Sequence, residues 1–283
     1  MVCSEKILMI KTFAKFVMLV ALVASAAGQQ QSAAPALRGS YADTLGFPGQ
    51  SWMTIGNLSP IEHNNFYLQS YLEQNAAIFA AYNGSLTVAP YVALGLSLDT
   101  QGLDWNNKAQ PRFGIRLNKF FRNGVMSIGS GYTYEKRFNG DSSGAPVLYF
   151  QDWFGWHSAA EKHSRFPGSS WFAIGNISPV EHRNIIGQGY ITQGIVAKKF
   201  SSFSLVPYAE GTVFRDTKGF DWDNKVLFGG GVKAVIPHRE LYTEVGMSYA
   251  HENRLNSGRS ASGVTLFTNF SFEWNLLGRK AGR

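Results

Sequence analysis

Cysteine, charge and long apolar runs are all scarce in this chain of 283 residues. A single cysteine excludes an intramolecular disulfide framework. Charged residues make up 16% and aromatic residues 14%, which excludes the composition of a disordered chain. A helical membrane protein needs runs of about 20 apolar residues, and only one run, near the N-terminus, approaches that length. The 45% of hydrophobic residues are therefore dispersed, as in the strands of a barrel that faces lipid.

The N-terminus has the pattern of a secretory signal peptide. Lys11 and Lys15 precede a short apolar run, and small residues that include Ala24-Ser25-Ala26 follow it. The run is too short to cross a bilayer as a helix. We expect cleavage to remove Cys3 together with several of the basic residues. An exported chain with the mild positive charge that remains is not expected to bind nucleic acid.

The chain repeats itself, which is its strongest internal signal. Segment 47–63 returns as 166–182, and segment 102–108 returns as 219–225, in the same order. The period is far longer than the 20–50 residues of solenoid repeats, so each copy must contain several elements. The predicted organisation is a signal peptide (1–27), a periplasmic N-terminal segment (28–46) and two half-barrel repeats (47–165 and 166–283).

Within each copy, apolar residues alternate with polar or small ones, which is the period of a β-strand. Turn residues divide each copy into six such segments. The sequence therefore predicts an all-β fold, a transmembrane antiparallel β-barrel of about 12 strands. Segments 50–58 and 169–177 are short, and the number falls to ten if they are loops. Pro90 and Pro207 each remove a ladder donor, and we expect bulges near a strand end to absorb the defect.

The connections alternate in length, except that the link between the copies, 159–168, is longer than its set predicts. Short turns such as Asn83-Gly84 alternate with longer polar loops, and in outer-membrane barrels the short turns are periplasmic. The pattern predicts location in the cell outer membrane, with membrane lipid or lipopolysaccharide and the barrel-assembly machinery as partners. A soluble periplasmic β-sandwich or barrel stays open as an alternative, and its outer strand faces would be polar.

Several charged residues lie opposite the apolar stripe of their strands. In a barrel they face the lumen, where they either satisfy one another or line a selective pore. Eight-stranded barrels are filled and sixteen-stranded ones are open, so twelve strands leave the choice undecided. The candidate lumen-lining residues are Arg112, Arg116, Glu135, Arg137, Glu244, Glu252 and Arg254.

Two kinds of repeated loop carry the remaining candidates. The Glu-His pairs bind a metal only if their loops meet across the barrel mouth, and duplication alone explains why there are two. The Asp-Trp-(Asn/Asp)-Asn-Lys loops are interpreted as turns with Trp at the membrane interface, with calcium as an alternative. We expect no metal and no cofactor. The candidate surface-loop residues are Glu62, His63, Asp104, Trp105, Glu181, His182, Asp221 and Trp222.

The motifs Pro90-Tyr91, Gly102 to Lys108, Tyr134-Glu135 and Arg137 resemble the C-terminal domain of the NfrA-type bacteriophage adsorption protein. The second copy echoes them, for example in Gly219 to Lys225. The resemblance implies an outer-membrane barrel linked to phage adsorption and to surface polysaccharide systems. It implies no catalytic residues.

Together these patterns predict a non-enzymatic outer-membrane barrel. It would act as a surface receptor, as in phage adsorption, or as a pore or scaffold linked to surface polysaccharide export. The alternative is an outer-membrane enzyme that hydrolyses lipid or glycan. His157-Ser158 and His163-Ser164 supply residue types for a nucleophile and its base, but no recognisable motif.

Overall fold

The computed structural model describes residues 46–82, 84–156, 165–238 and 241–275, which form an all-β structure. The predicted signal peptide and nearly all of the periplasmic segment lie outside these ranges. No helix within them is long and apolar enough to cross a membrane. The strands are β1 (Pro48–Gly56), β2 (Tyr67–Asn75), β3 (Phe79–Ala81), β4 (Leu86–Asp99), β5 (Lys108–Phe121), β6 (Gly124–Arg137), β7 (Ser142–Trp156), β8 (Gly168–Gly175), β9 (Ile186–Gly194), β10 (Lys198–Lys199), β11 (Ser204–Asp216), β12 (Lys225–His238), β13 (Leu241–Arg254) and β14 (Ser260–Asn275).

The strands close into a single antiparallel barrel. Strands pair in chain order, with β2 and β3 both pairing with β4 and β9 and β10 both pairing with β11, and β1 pairs with β14 from Pro48↔Asn275 to Gly56↔Phe267. The two short strands β3 and β10 continue β2 and β9, so the barrel has twelve strand positions. The predicted twelve-strand barrel is confirmed. Segments 50–58 and 169–177, whose shortness left a ten-strand barrel as an alternative, form β1 and β8.

The barrel is apolar outside and polar inside. On β4, Val92 is 59% exposed, whereas Ala89 and Tyr91 are buried. On β14, Val264 is 58% exposed and the next residue, Thr265, is buried. The soluble alternative required polar outer faces, and these strands have the opposite pattern. Other outward residues that are more than half exposed include Phe113, Ile128, Leu148, Ile191, Phe228, Met247 and Tyr249.

Two β-bulges lie opposite the two strand prolines. Residues 76–78 face only two residues of β4, and the amide of Ala76 donates to the carbonyl of Pro90 at 2.9 Å. Residues 195–197 face two residues of β11 in the same way, and the amide of Ile195 donates to the carbonyl of Pro207 at 2.9 Å. The expected bulges are therefore present, and they separate β3 from β2 and β10 from β9.

Two matched glycines permit a close approach between strands. A Cβ at Gly114 of β5 would collide with the backbone of Ser130, and one at Gly231 of β12 would collide with the backbone of Met247. Backbone atoms cannot rotate away as a side chain can, so only glycine fits at these positions.

We expect Gly114→Ala and Gly231→Ala each to lower the free energy of unfolding by about 1–3 kcal/mol, as overpacking does. Gly95→Ala is the matched control, because its Cβ would lie 3.8 Å from Gln110, an ordinary contact. Urea unfolding of the refolded barrel measures the difference. Equal stability of all three variants would contradict the close approach.

Candidate functional site at the barrel mouth

Four charged residues of β6 and β13 point into the barrel. On β6, Glu135 and Arg137 are buried, whereas Tyr134 between them is exposed. On β13, Glu252 and Arg254 repeat the arrangement, with relative exposures of 0% and 4%. All four lie at the end of the barrel that carries loops 57–66, 100–107, 176–185 and 217–224, here called the mouth. A buried carboxylate is costly unless it is paired and hydrogen bonded, so the partners of these residues define the site.

Two clusters of side chains anchor loops in the mouth, and they are numbered by the position of their loops in the chain. The second anchor cluster consists of Glu135, Arg137, Ser178 and Glu181. Arg137 donates from Nε to Glu135 at 2.8 Å and from Nη2 to Glu181 at 2.7 Å. Ser178 donates its hydroxyl to the other oxygen of Glu135 at 2.7 Å. Both Ser178 and Glu181 belong to loop 176–185, so these bonds draw that loop into the mouth.

The first anchor cluster consists of Ser59, Glu62, Glu252 and Arg254. Arg254 donates from Nε to Glu252 at 2.7 Å and from Nη2 to Glu62 at 2.8 Å. Ser59 donates its hydroxyl to the other oxygen of Glu252. Burial acts to raise the pKa of Glu62, but hydrogen bonds from Tyr67 and Arg254 outweigh it and hold that pKa below its ordinary value. Loop 57–66 is thus fixed in the mouth by the same chemistry.

Two further loops are shaped by an aspartate at the end of the preceding strand. Asp99 accepts from the amide of Gly102 at 2.6 Å and from the side chain of Asn107 at 2.6 Å. Gly102 has φ 71°, a left-handed conformation that favours glycine. Asp216 accepts from the amide of Gly219 at 2.7 Å in the matching loop. Loops 100–107 and 217–224 therefore have the same internal fold.

These two loops meet across the mouth. They leave the barrel between β4 and β5 and between β11 and β12, six strand positions apart on a circuit of twelve. Trp105 and Trp222 stack with ring centroids 4.5 Å apart and an interplanar angle of 6°. Phe220 extends the stack on Trp222 at 4.8 Å. Loops from opposite walls are thus joined over the lumen by aromatic rings.

The prediction of Trp at the membrane interface was wrong. Each Trp sits in a short 3₁₀ turn, at Asp104–Asn106 and Asp221–Asp223, on a loop that folds inward. The physical reason is that the two rings bury their faces on each other. The side chain of Asp104 lies 3.3 Å from Arg137, and Asp221 accepts from the amide of Ser257 at 3.1 Å.

Below the mouth, side chains from the first half of the barrel meet inside the lumen. Arg116 forms an ion pair with Glu73, and both are buried. Its guanidinium lies over the ring of Tyr91 at 4.6 Å. Tyr91 in turn makes an edge contact at 6.3 Å with Tyr149, whose strand lies three places away. Arg112 lies over the ring of Tyr149 at 5.4 Å.

The second half repeats this arrangement with different residues. Lys233 forms an ion pair with Glu244 at 2.6 Å and lies over the ring of Tyr208 at 5.2 Å. Tyr208 makes an edge contact with Phe267 at 6.2 Å. All seven candidate lumen residues therefore face the interior. The ion pairs and aromatic contacts among these side chains lie across part of the lumen, and they favour the interpretation of mutually paired charges over that of an open selective pore.

The Glu-His pairs do not form ligand pairs. Glu62 and Glu181 are hydrogen bonded in the anchor clusters, whereas His63 and His182 are exposed. Each Glu points inward and accepts a hydrogen bond from an arginine. Its carboxylate therefore lies away from the exposed His that follows it in the sequence. His182 instead borders a cavity of about 490 Å³. The cavity is lined by Ala145, Asn176, Ser178, Pro179, His182 and Arg183.

A cluster of three acidic side chains distinguishes the second half of the mouth from the first. Carboxylate oxygens of Glu181, Asp216 and Asp223 lie within 4.8 Å of one another. Asn106 occupies the position of Asp223 in the first copy, and it donates to Asp99 at 3.0 Å. Burial and the neighbouring carboxylates, Glu181 first, raise the pKa of Asp223 to about 6.

Sequence reasoning missed the polar residues that complete the anchor clusters. Ser59 and Ser178 hold the buried glutamates, and Lys108 and Lys225 lie 3.9 and 3.8 Å from them. A signal was available, because all four stand inside motifs that recur in both copies. Repetition of a polar side chain, and not only of glycine and aromatic residues, marks a shared contact. The residues of the enzyme alternative, 157–158 and 163–164, lie outside the described residues.

Comparisons with known proteins give only structural likeness. No family model matches the sequence, and no curated protein matches it. An outer membrane channel from Pseudomonas putida F1 aligns with a TM-score of 0.43 and 10% identity, over 87% of this chain and 98% of the other. OmpT, an outer membrane protein of Vibrio cholerae, gives 0.34 and 9%, over 82% and 99%. The β domain of the Bordetella autotransporter BrkA gives 0.37 and 10%, over 80% and 98%.

At these identities and TM-scores, the likeness carries no conclusion about what the chain does. The resemblance to the NfrA-type adsorption protein stays a prediction from the sequence. The strand pairing of this chain itself establishes the barrel.

We expect Arg254→Met to lower the free energy of unfolding by about 3–5 kcal/mol, because it leaves Glu252 buried without its guanidinium partner. Arg259→Met is the matched control at an exposed loop position, with an expected effect within about 0.5 kcal/mol. Urea unfolding in detergent or vesicles measures both. A difference of less than about 1 kcal/mol between the variants would show that the cluster does not anchor the mouth.

The raised pKa of Asp223 predicts a pH dependence. The folded state holds the proton more tightly than the unfolded chain, so stability falls as pH rises from the ordinary aspartate range through about 6. Asp223→Asn should raise the thermal midpoint near pH 8 and leave it unchanged near pH 4. The exposed Asp141→Asn is the control. A pH-independent effect of Asp223→Asn would rule out the carboxylate repulsion.

Proposed function

We propose that this protein is an outer-membrane barrel whose closed mouth serves as a surface receptor. The observation that carries the proposal is the stack of Trp105 on Trp222, which joins loops from opposite walls over the lumen. In this proposal, the bridge interrupts the continuous aqueous path that a porin would have. It does offer a fixed surface on which a partner can dock without first ordering loops.

The outer face supports insertion in a membrane. Apolar side chains cover outward positions of strands such as β5, β6 and β12, where Phe113, Ile128 and Phe228 are each 55–60% exposed. Contiguous apolar surface of this kind is costly in water and suits a hydrocarbon environment. Export by the predicted signal peptide and insertion by the barrel-assembly machinery are parts of the same proposal.

The lengths of the connections support an orientation with the mouth outward. Connections at the mouth include loops 57–66 and 176–185, whereas β5 and β6 are joined at the other end by Arg122 and Asn123 alone. Outer-membrane barrels place short turns in the periplasm and longer loops outside. In this orientation His63 and His182 face the cell exterior.

The anchor clusters support a receptor more than a transport pore. They hold two loops by buried ion pairs, so these loops keep one conformation. A recognition surface on fixed elements binds with a smaller loss of conformational entropy than a mobile one. Candidate partners are a phage or a surface polysaccharide, as the family resemblance implies.

Single cysteines test the placement directly, because Cys3 is the only cysteine of the chain. In a Cys3→Ser background, we expect His63→Cys and His182→Cys to react with a membrane-impermeant maleimide on intact cells. Asn123→Cys, at the opposite end, should react only after the outer membrane is permeabilised. Labelling of Asn123→Cys on intact cells would overturn the orientation.

The closed mouth has its own readout. Purified wild-type protein should give no sustained conductance in planar bilayers, although it inserts into vesicles and migrates differently on detergent gels before and after heating. Steady conductance of the wild type would refute the closed mouth and favour the pore linked to polysaccharide export.

A further inference from the structure

We propose that the outer wall at β8, β9 and β11 binds a phosphorylated glycolipid of the outer leaflet, of the lipopolysaccharide class. The inference rests on the proposed membrane location and orientation of the barrel. It assigns a site to a lipid partner that the sequence predicts only in general terms.

A groove runs along this part of the outer wall. Its floor is Gly187 and Gly189 of β9, which take outward positions in the same alternation as the exposed Ile191. A Cβ at Gly187 would approach only the carbonyl of Arg215, at 3.8 Å, so the floor is open there. At Gly189 it would meet Val213 at 3.3 Å and Phe172 at 3.5 Å, so both walls approach each other there and the groove is widest at Gly187, nearest the mouth.

The walls of the groove are apolar. On one side, Phe172 and Ile174 of β8 pair with the two glycines and are 37% and 39% exposed. On the other side, Val213 of β11 pairs with Gly189 and is 41% exposed. A floor without side chains between apolar walls fits a hydrocarbon chain, since van der Waals contact is made on three sides.

The end of the groove nearest the mouth is cationic. Arg215 pairs with Gly187 and points outward, and Lys218 follows it on loop 217–224. Both are exposed, and within the described ranges neither forms an ion pair. The intervening Asp216 points inward, where it accepts from Asn184 at 2.9 Å. No carboxylate therefore neutralises these cations from within that segment.

A ligand that suits this surface has an acyl chain and an anionic headgroup. Arginine and lysine just above an apolar band are suited to phosphate groups at the membrane surface. In the proposed orientation, the cationic end lies at the outer leaflet, where the headgroup is a phosphorylated sugar. This location favours a phosphorylated glycolipid over a soluble phosphate.

The first copy supplies an internal comparison in which the site is absent. Leu68 occupies the position of Gly187 and pairs with Leu98, which occupies the position of Arg215. Gln101 stands in place of Lys218. Leu68 is only 6% exposed, so the first copy has filled the groove that the second copy leaves open.

The test exchanges these residues between the copies. Purified barrel in detergent is titrated with lipopolysaccharide, and bound lipid is counted by native mass spectrometry. We expect Arg215→Leu with Lys218→Gln to weaken binding about thirtyfold, as the loss of two surface cations predicts. Gly187→Leu should weaken binding by filling the groove while both cations remain.

Two controls identify the ligand chemistry. Lys136→Gln removes an exposed cation from β6 and should leave binding unchanged. Lipopolysaccharide stripped of its lipid phosphates should bind the wild type as weakly as intact lipopolysaccharide binds the double variant. Unchanged binding in the double variant, or in Gly187→Leu, would overturn the site. Equally tight binding of phosphatidylglycerol vesicles or inorganic phosphate would overturn the glycolipid.

Cysteine labelling separates this proposal from the proposed function. If His63→Cys is labelled on intact cells and the groove variants bind lipid normally, only the site is refuted. If His63→Cys in the Cys3→Ser background, with the groove residues unchanged, is not labelled on intact cells, the membrane orientation itself is refuted.

Discussion

Burial of two glutamates dictates the shape of the mouth. Glu135 and Glu252 have no exposed surface, and a carboxylate in such a place requires a cation and hydrogen-bond donors. The arginine two residues later on each strand provides the cation. Each arginine still has donors to spare, and they reach the glutamate of an incoming loop, Glu62 or Glu181. Loop position is therefore a consequence of charge satisfaction within the barrel wall.

The same chemistry occurs twice, and each half of the barrel depends on the other. Loop 57–66 of the first half is held by β13 of the second, and loop 176–185 of the second half is held by β6 of the first. This reciprocity is the contact pattern of an isologous dimer, formed here within one chain. The two halves differ at a few matched positions, and these differences change the properties of the surface. Asp223 in place of Asn106 adds charge at the mouth, and Gly187 in place of Leu68 opens the outer wall.

The structure of the barrel wall could be predicted from the sequence, whereas most contacts of the mouth could not. Alternation along segments such as Leu86–Asp99 is a local property, and it predicted the strands, the inward charges and the bulges at Pro90 and Pro207. The direction of a loop is not local. Trp105 and Trp222 meet only because opposite walls face each other in a closed barrel, so a single motif could not reveal the stack. The serines and asparagines that fix the loops lay inside recognised repeats, but spacing alone does not show what a side chain contacts.

The two anchor clusters are chemically alike but differ in the length of chain they connect. Arg137 and Glu181 are 44 residues apart, whereas Glu62 and Arg254 are 192 residues apart. The second cluster can form while the chain is still an open sheet, because β6, β7 and β8 are consecutive. The first requires that β14 has already met β1. Until that junction forms, Glu62 and Arg254 stay apart, so the ion pair between them marks a completed barrel. Loop 57–66 is therefore anchored only after β1 has paired with β14.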